Sequence, residues 1–127
     1  MSTWEATVEG FFRARHALRT PHGVREEPHE HLWRVTVSFR ADTLDRTMGV
    51  VIDFVAAERA LRKLGESIDG ADLNELDAFA DGRPSAERVA QWIAESIADM
   101  LACGRRLYRV AVTEAPGCSA AYYPHGP

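Results

Sequence analysis

Between residues 4 and 40 the chain alternates apolar and polar residues twice, with one polar break between the two runs. No other feature constrains the fold as much. In WEATVEGFFRARHAL, residues 4–18, Val8, Gly10, Phe12, Ala14, His16 and Leu18 share one parity, and Glu9, Arg13 and Arg15 share the other. A period of two is the signature of a half-buried strand, and Gly10 inside the run marks a place for a bulge. RTPHGVREEP, residues 19–28, is a polar connection punctuated by Pro and Gly. Alternation then resumes over 29–40: His29, His31, Trp33, Val35, Val37 and Phe39 on one face, Glu30, Leu32, Arg34, Thr36 and Ser38 on the other. Two such runs so joined predict a long hairpin.

After a loop at 41–49 the period changes. Phe54, Ala57, Leu61, Leu64 and Ile68 follow helical spacing, with Asp53 as N-cap. Residues 65–84 are mixed, broken by Gly and Asp, with room for one short turn. A second helix starts near Pro84 or Ser85, carries Val89, Ile93, Ile97 and Met100 or Leu101 as its stripe, and ends near Gly104. LYRVAVTE, 107–114, reads as a third strand with Tyr108, Val110, Val112 and Glu114 on one face, and SAAYY as a fourth. The order β-β-α-α-β-β predicts an α+β fold: an antiparallel four-stranded sheet with two helices on one face. The 127 residues suit a single domain, 1–127.

Several function classes are disfavoured. The net charge is −4, and Arg13, Arg15, Arg19, Arg25, Arg34, Arg40 and Arg46 are dispersed, so no nucleic-acid footprint is expected. Those arginines could still help hold an anionic small substrate. No apolar run approaches membrane-spanning length, and MSTWEATVEG lacks a signal-peptide layout. With only Cys103 and Cys118, a reduced cytoplasmic setting without a structural disulfide is the expectation.

His29 and His31 are two apart on a strand, so both rings point the same way. Zinc favours imidazole nitrogen, and a catalytic zinc usually has three protein ligands and one open position. His16 is the natural third ligand, because its strand pairs with theirs. The same residues also read as packed or solvated strand histidines, so the pattern alone leaves both open. His22 and His125 lie in polar settings and read as surface residues.

Taken in order, six segments resemble the 6-pyruvoyl-tetrahydropterin synthase and 6-carboxytetrahydropterin synthase family. FRARHAL (Phe12–Leu18) matches F-x-A-x-H-x-L, and HEHLW matches H-G-H followed by an aromatic. GVVIDF (Gly49–Phe54) matches G-M-V-x-D-F, and IDGADLN (Ile68–Asn74) matches L-D-H-x-x-L-N. PSAER (Pro84–Arg88) matches P-T-A-E-N, and VAVTEAP matches a strand ending in E-T. The resemblance implies the tunnelling fold, in which small subunits join sheets into an oligomeric barrel, commonly a trimer doubled to a hexamer, with sites between subunits. It implies that His16, His29 and His31 hold zinc, which would polarise the substrate side chain as a Lewis acid. It implies that Glu114 anchors a pterin ring through two ring donors, and that Ser85 lies near the pterin.

The chain departs from the family at the residues that move protons. The family cysteine four residues before H-G-H is Arg25 here, the histidine of L-D-H is Gly70, and the central glycine of H-G-H is Glu30. Asp69 remains. A related class carries E-x-x-H-G-H and resembles enzymes that cleave the dihydroneopterin side chain. This chain reads E-x-x-H-E-H from Glu26 to His31. A carboxylate beside a divalent cation stays ionised at neutral pH and can take a proton from a polarised hydroxyl. Glu26 is the first choice for that base and Glu27 the second, restrained to extended backbone by Pro28. His22, Glu30 or Asp69 could serve the second proton transfer. The expected activity is a zinc-dependent lyase or synthase acting on a dihydropterin side chain. A family member diverged to a non-pterin substrate, or a non-catalytic zinc or ligand binder in which Glu26 and Glu27 are solvated loop acids, are the alternatives.

Overall fold

The computed structural model describes residues 2–127. Two long strands, β1 (Trp4–His16) and β2 (His29–Ala41), pair antiparallel in unbroken register, from Trp4 opposite Ala41 to His16 opposite His29. The predicted hairpin is present, and its alternation does what period two requires. Val8, Phe12, Ala14 and His16 from β1 and Trp33, Val35, Val37 and Phe39 from β2 are buried. Helices α1 (Phe54–Ile68) and α2 (Ala86–Leu101) supply the other half of that core, through Ala57, Ala60, Leu61 and Ile68, and through Val89, Ala90, Ile93, Ala94 and Ile97. Each large side chain taken fully from water contributes roughly 1.5–3 kcal/mol, and Trp33, Phe39 and Phe79 are among the largest so buried.

Both helix starts follow local chemistry. The Asp53 carboxylate accepts from the Val55 N–H at 2.9 Å, and the Ser85 hydroxyl accepts from the Arg88 N–H at 3.2 Å. Phe54, expected on the buried stripe of α1, is exposed because it opens the first turn. After α2 both Ala102, which caps the helix at φ 48°, and the expected Gly104, at φ 55°, are in left-handed conformation.

The sheet has five strands and is mixed, not four and antiparallel. Its order is β3-β1-β2-β4-β5, with β4 at Leu107–Ala115 and β5 at Cys118–Tyr122. The addition is β3, only Ala71–Asp72, running parallel to Ala14 and Arg15 of β1. Two residues are too few for any periodicity to announce. Two short 3-10 turns, Leu73–Glu75 and Asp77–Phe79, follow it where one turn was expected.

Gly10 is not a bulge: it faces Val35 in regular register. Its lack of a side chain serves packing, since a Cβ there would lie 3.0 Å from Leu61 Cδ2. The bulges are in β4. Ser38 faces Arg109 and Phe39 faces Leu107, so Tyr108 is the extra residue. Leu107 therefore takes the core position, and Tyr108 meets the Arg40 guanidinium, 3.6 Å above its ring, instead of sharing the face of Val110 and Val112. Further along, Thr113 faces Ser119 and Ala115 faces Cys118, which leaves Glu114 as a second extra residue.

Candidate metal centre

The β1–β2 register places His16 opposite His29, and His31 two residues along the same face. Their rings pack edge to face, with centroids 4.6 Å apart for His16 and His29, 5.2 Å for His16 and His31, and 4.5 Å for His29 and His31. Trp33 forms the floor below them, its centroid 5.0 Å from that of His16. The Trp33 indole N–H donates to the Ala14 carbonyl at 3.2 Å, which ties the floor to β1. β4 lies beside β2 in the sheet, and its bulge brings Glu114 over the same spot. Bulges re-aim side chains in this way beside functional sites. His16, His29, His31 and Glu114 each offer one ligand atom, and all four atoms lie within 4.8 Å of one another.

The hydrogen bonds around the rings decide which nitrogens are free. His16 Nδ1 donates to the Pro84 carbonyl at 2.8 Å, and His29 Nδ1 donates to the Glu27 carbonyl at 3.2 Å. In a neutral imidazole this leaves Nε2 as a lone pair, the usual arrangement of a metal-binding histidine. The Nε2 atoms of both rings face a carboxylate, and His16 Nε2 is hydrogen-bonded to it. Glu114 Oε1 is 2.8 Å from His16 Nε2 and 3.8 Å from His29 Nε2. It is also 3.0 Å from His31 Nε2, but off the hydrogen-bonding direction, so this buried nitrogen has no hydrogen-bond partner. Burial pushes the His31 pKa below the usual imidazole value, opposed by the Glu114 carboxylate and aided by His29 and His16. A buried nitrogen left without a partner beside two more imidazoles and a carboxylate is a costly arrangement by itself. A divalent cation accepts from all of them at once, so the residues present fit a zinc ion.

The other candidates lie around this centre. One Glu26 carboxylate oxygen accepts from the Leu18 N–H at 2.9 Å, and the same oxygen is 4.0 Å from His29 Nδ1. Glu26 N–H in turn donates to the Leu18 carbonyl at 2.9 Å, which closes the neck of the β1–β2 loop. Glu27 and Glu30 have exposed side chains, as does His22. Asp69 is elsewhere: it ends α1 and accepts from the Arg13 N–H at 2.8 Å, three residues before His16 on β1. Ser85 caps α2 directly after Pro84, whose carbonyl orients His16.

Sequence reasoning missed three contributors. Pro84 and Glu27 act through their carbonyls, for which side-chain identity gives no signal. Asn74 pairs both backbone groups of Ala17, its oxygen accepting from the Ala17 N–H at 2.8 Å and its amide donating to the Ala17 carbonyl at 3.0 Å. It thereby extends the sheet by one residue beyond His16. The segment IDGADLN contained it, with no role attached.

Known proteins bear this out at the level of family and fold. The 6-pyruvoyl-tetrahydropterin synthase of Caenorhabditis elegans superposes with a TM-score of 0.82 over 97% of this chain and 96% of its own, at 19% identity. The Plasmodium vivax 6-pyruvoyltetrahydropterin synthase gives 0.73 over 96% and 98%, at 20% identity. Solved variants of the latter replace a glutamate described as its catalytic residue by alanine or by cysteine. Among curated proteins, none matches the chain. No helix among the described residues is long and apolar enough to cross a membrane. A sequence model of 6-pyruvoyl tetrahydropterin synthase matches residues 5–125, nearly the whole chain, which therefore belongs to that family.

Proposed function

We propose that this protein is a zinc-dependent lyase acting on the side chain of a dihydropterin, dihydroneopterin or its triphosphate, with a glutamate in place of the usual cysteine base. The observation that carries this reading is the convergence of His16, His29, His31 and Glu114, with Glu26 anchored at the outer side of His29. The three imidazoles would hold the zinc, whose Lewis acidity lowers the pKa of a substrate hydroxyl. Glu26 is then the group that accepts the proton, held in place by its bond to the Leu18 N–H. Glu27 is the second candidate, and His22, Glu30 or Asp69 would serve the remaining proton transfer, Asp69 from its place outside the cluster. Glu114 would anchor the pterin by accepting from its ring N–H and amino group, and Ser85, at the start of α2, would lie near it. The glutamate described as catalytic in the Plasmodium vivax protein supports a carboxylate in this role.

The chain would work as a homo-oligomer, a trimer or hexamer. Phe11 and Leu32 support this: they are 57% and 50% exposed on the sheet face that the helices leave bare. So does β1 between Trp4 and Arg13, which has no strand partner on its outer side among the described residues.

Glu26→Gln tests the proposal cleanly, because the amide oxygen still accepts from Leu18 while the proton acceptor is lost. Turnover of dihydroneopterin should fall about a hundredfold or more, with zinc content unchanged. Full activity in Glu26→Gln shifts the role to Glu27, and full activity in Glu27→Gln as well defeats a glutamate base. One observation favours a second reading, a binding protein without turnover: Glu26 also serves the loop, pairing with Leu18 through backbone and side chain. Zinc and pterin binding with no product from any dihydropterin would establish it.

A further inference from the structure

We propose that Asp69 and Asn74 are positioning residues for the metal, the two ends of one clamp that lies along β1 and holds His16 in place. This rests on the metal reading above, and on neither the substrate nor the base assigned there. A strand turns the peptide groups of every second residue toward the same neighbour. Arg13, Arg15 and Ala17 are three such residues, and residues 69–74 meet each in turn. At Arg13 the Asp69 carboxylate accepts from the N–H at 2.8 Å, and the Gly70 N–H donates to the carbonyl at 2.6 Å. At Arg15 the pairing is that of β3, with Asp72 alongside. At Ala17 the Asn74 side chain accepts from the N–H at 2.8 Å and donates to the carbonyl at 3.0 Å. Side chains thus carry the pairing past both ends of a two-residue strand.

His16 lies inside this span. With His29 it is the last pair of the β1–β2 ladder, where a sheet opens most readily. The clamp pins both of its neighbours, Arg15 and Ala17, from the side away from β2. The ring itself is fully buried, with Nδ1 at the Pro84 carbonyl and Nε2 at Glu114. A ring so enclosed has no freedom to compensate for a shift of its own backbone. Its aim at the metal therefore follows from how β1 is held.

The clamp is rooted in turn. Asp69 ends α1, the Leu73 side chain is fully buried, and the Asp72 carboxylate accepts from the Asn74 N–H at 2.9 Å. Gly70 makes the turn out of α1 at φ 77°, which glycine adopts without strain. The duty at position 69 needs an acceptor oxygen, not a charge and not a proton.

Metal binding reads the clamp without any substrate. Zinc affinity is measured by chelator competition, and visible spectra are taken at saturating cobalt(II), whose absorption reports ligand geometry. Asp69→Ala and Asn74→Ala should each bind zinc at least about tenfold more weakly, and each should show an altered cobalt spectrum. Asp69→Asn, whose amide oxygen still accepts from the Arg13 N–H, should restore both. Because the two residues hold one span, the double alanine variant should lose less than the product of the single losses. Wild-type affinity and spectrum in both alanine variants overturn the proposal. Weaker binding with an unchanged spectrum is general loosening and overturns positioning, and Asp69→Asn no better than Asp69→Ala overturns the acceptor role. Losses that multiply overturn the single clamp. Should an alanine variant fail to fold, amide exchange in the wild-type chain replaces it, since coupling between metal and clamp is reciprocal. Zinc should slow exchange of the Arg13 and Ala17 N–H groups at least about tenfold, and equal rates with and without zinc overturn the proposal. A wild-type chain that takes up neither zinc nor cobalt defeats the underlying metal reading instead, and so the two failures are distinguishable.

Discussion

The β1–β2 ladder has two ends made from the same register, and they treat polar side chains in opposite ways. At the Trp4 end, Glu5 pairs with Arg40 at 2.6 Å, and Arg40 lies over Tyr108, all at the surface. Every charge there has one partner and water besides. At the His16 end, four polar side chains converge, His16 is fully buried, and His31 Nε2 has no hydrogen-bond partner. Isolated surface pairs satisfy each other, so they say little about purpose. A buried cluster whose valence is unmet by protein atoms points to a ligand. The difference shows that function here is marked by unsatisfied atoms and not by density of charge.

The strongest way to break this contrast is to remove one histidine. His31→Ala should weaken zinc binding by roughly a hundredfold or more, measured by chelator competition. Chelation should correspondingly lower the melting temperature of the wild-type protein, since a ligand at a hundred times its Kd stabilises by about 2.7 kcal/mol. It should leave the melting temperature of His31→Ala unmoved. Retained stoichiometric zinc in His31→Ala would make the cluster an ordinary packed group of histidines.

Much of the histidine end was legible in the sequence, because period two alone puts His16, His29 and His31 on the buried face of paired strands. The place of Glu114 was legible only in part. Its strand and parity could be read, but its approach to the rings depends on β4 lying next to β2 and on a bulge that no residue type signals. Tyr108 was misplaced for the same reason: one extra residue reverses the faces before it. The Gly10 expectation failed because a glycine in a strand has two physical uses, a bulge or a close approach. Only the position of Leu61, a residue of α1, decides between them. Asp69 reads as a proton carrier by motif, yet what it visibly does is cap the Arg13 N–H.

Asn74→Ala tests the neck between the two ends. It deletes both side-chain bonds to Ala17, a residue only 1% exposed, and leaves two backbone groups short of partners. A loss of about 2 kcal/mol is expected by urea denaturation, together with weaker zinc binding because His16 loses its neighbour's anchor. A stability loss with zinc affinity untouched would separate the sheet's end from the site. Midway along the ladder, Gly10→Ala should cost about 1 kcal/mol by crowding Leu61. No change in zinc affinity is expected, since the contact belongs to the α1 packing.

The smallest effect is expected at the far end. Glu5→Gln removes the acid that holds Arg40, but both side chains are more than two-fifths exposed, at 43% and 45%. Water screens such a pair, and holding two long side chains in one geometry offsets most of the gain. Arg40 also keeps its place over the Tyr108 ring, so the cation is not left without a neighbour. Thermal melts of Glu5→Gln and the wild-type chain should coincide, and their zinc affinities should be equal. A clear drop in melting temperature would mean that the Trp4 end is not a generic surface. If that drop also depended on protein concentration, the ion pair would belong to a contact between subunits, and the contrast between the two ends would be one between a ligand site and an interface.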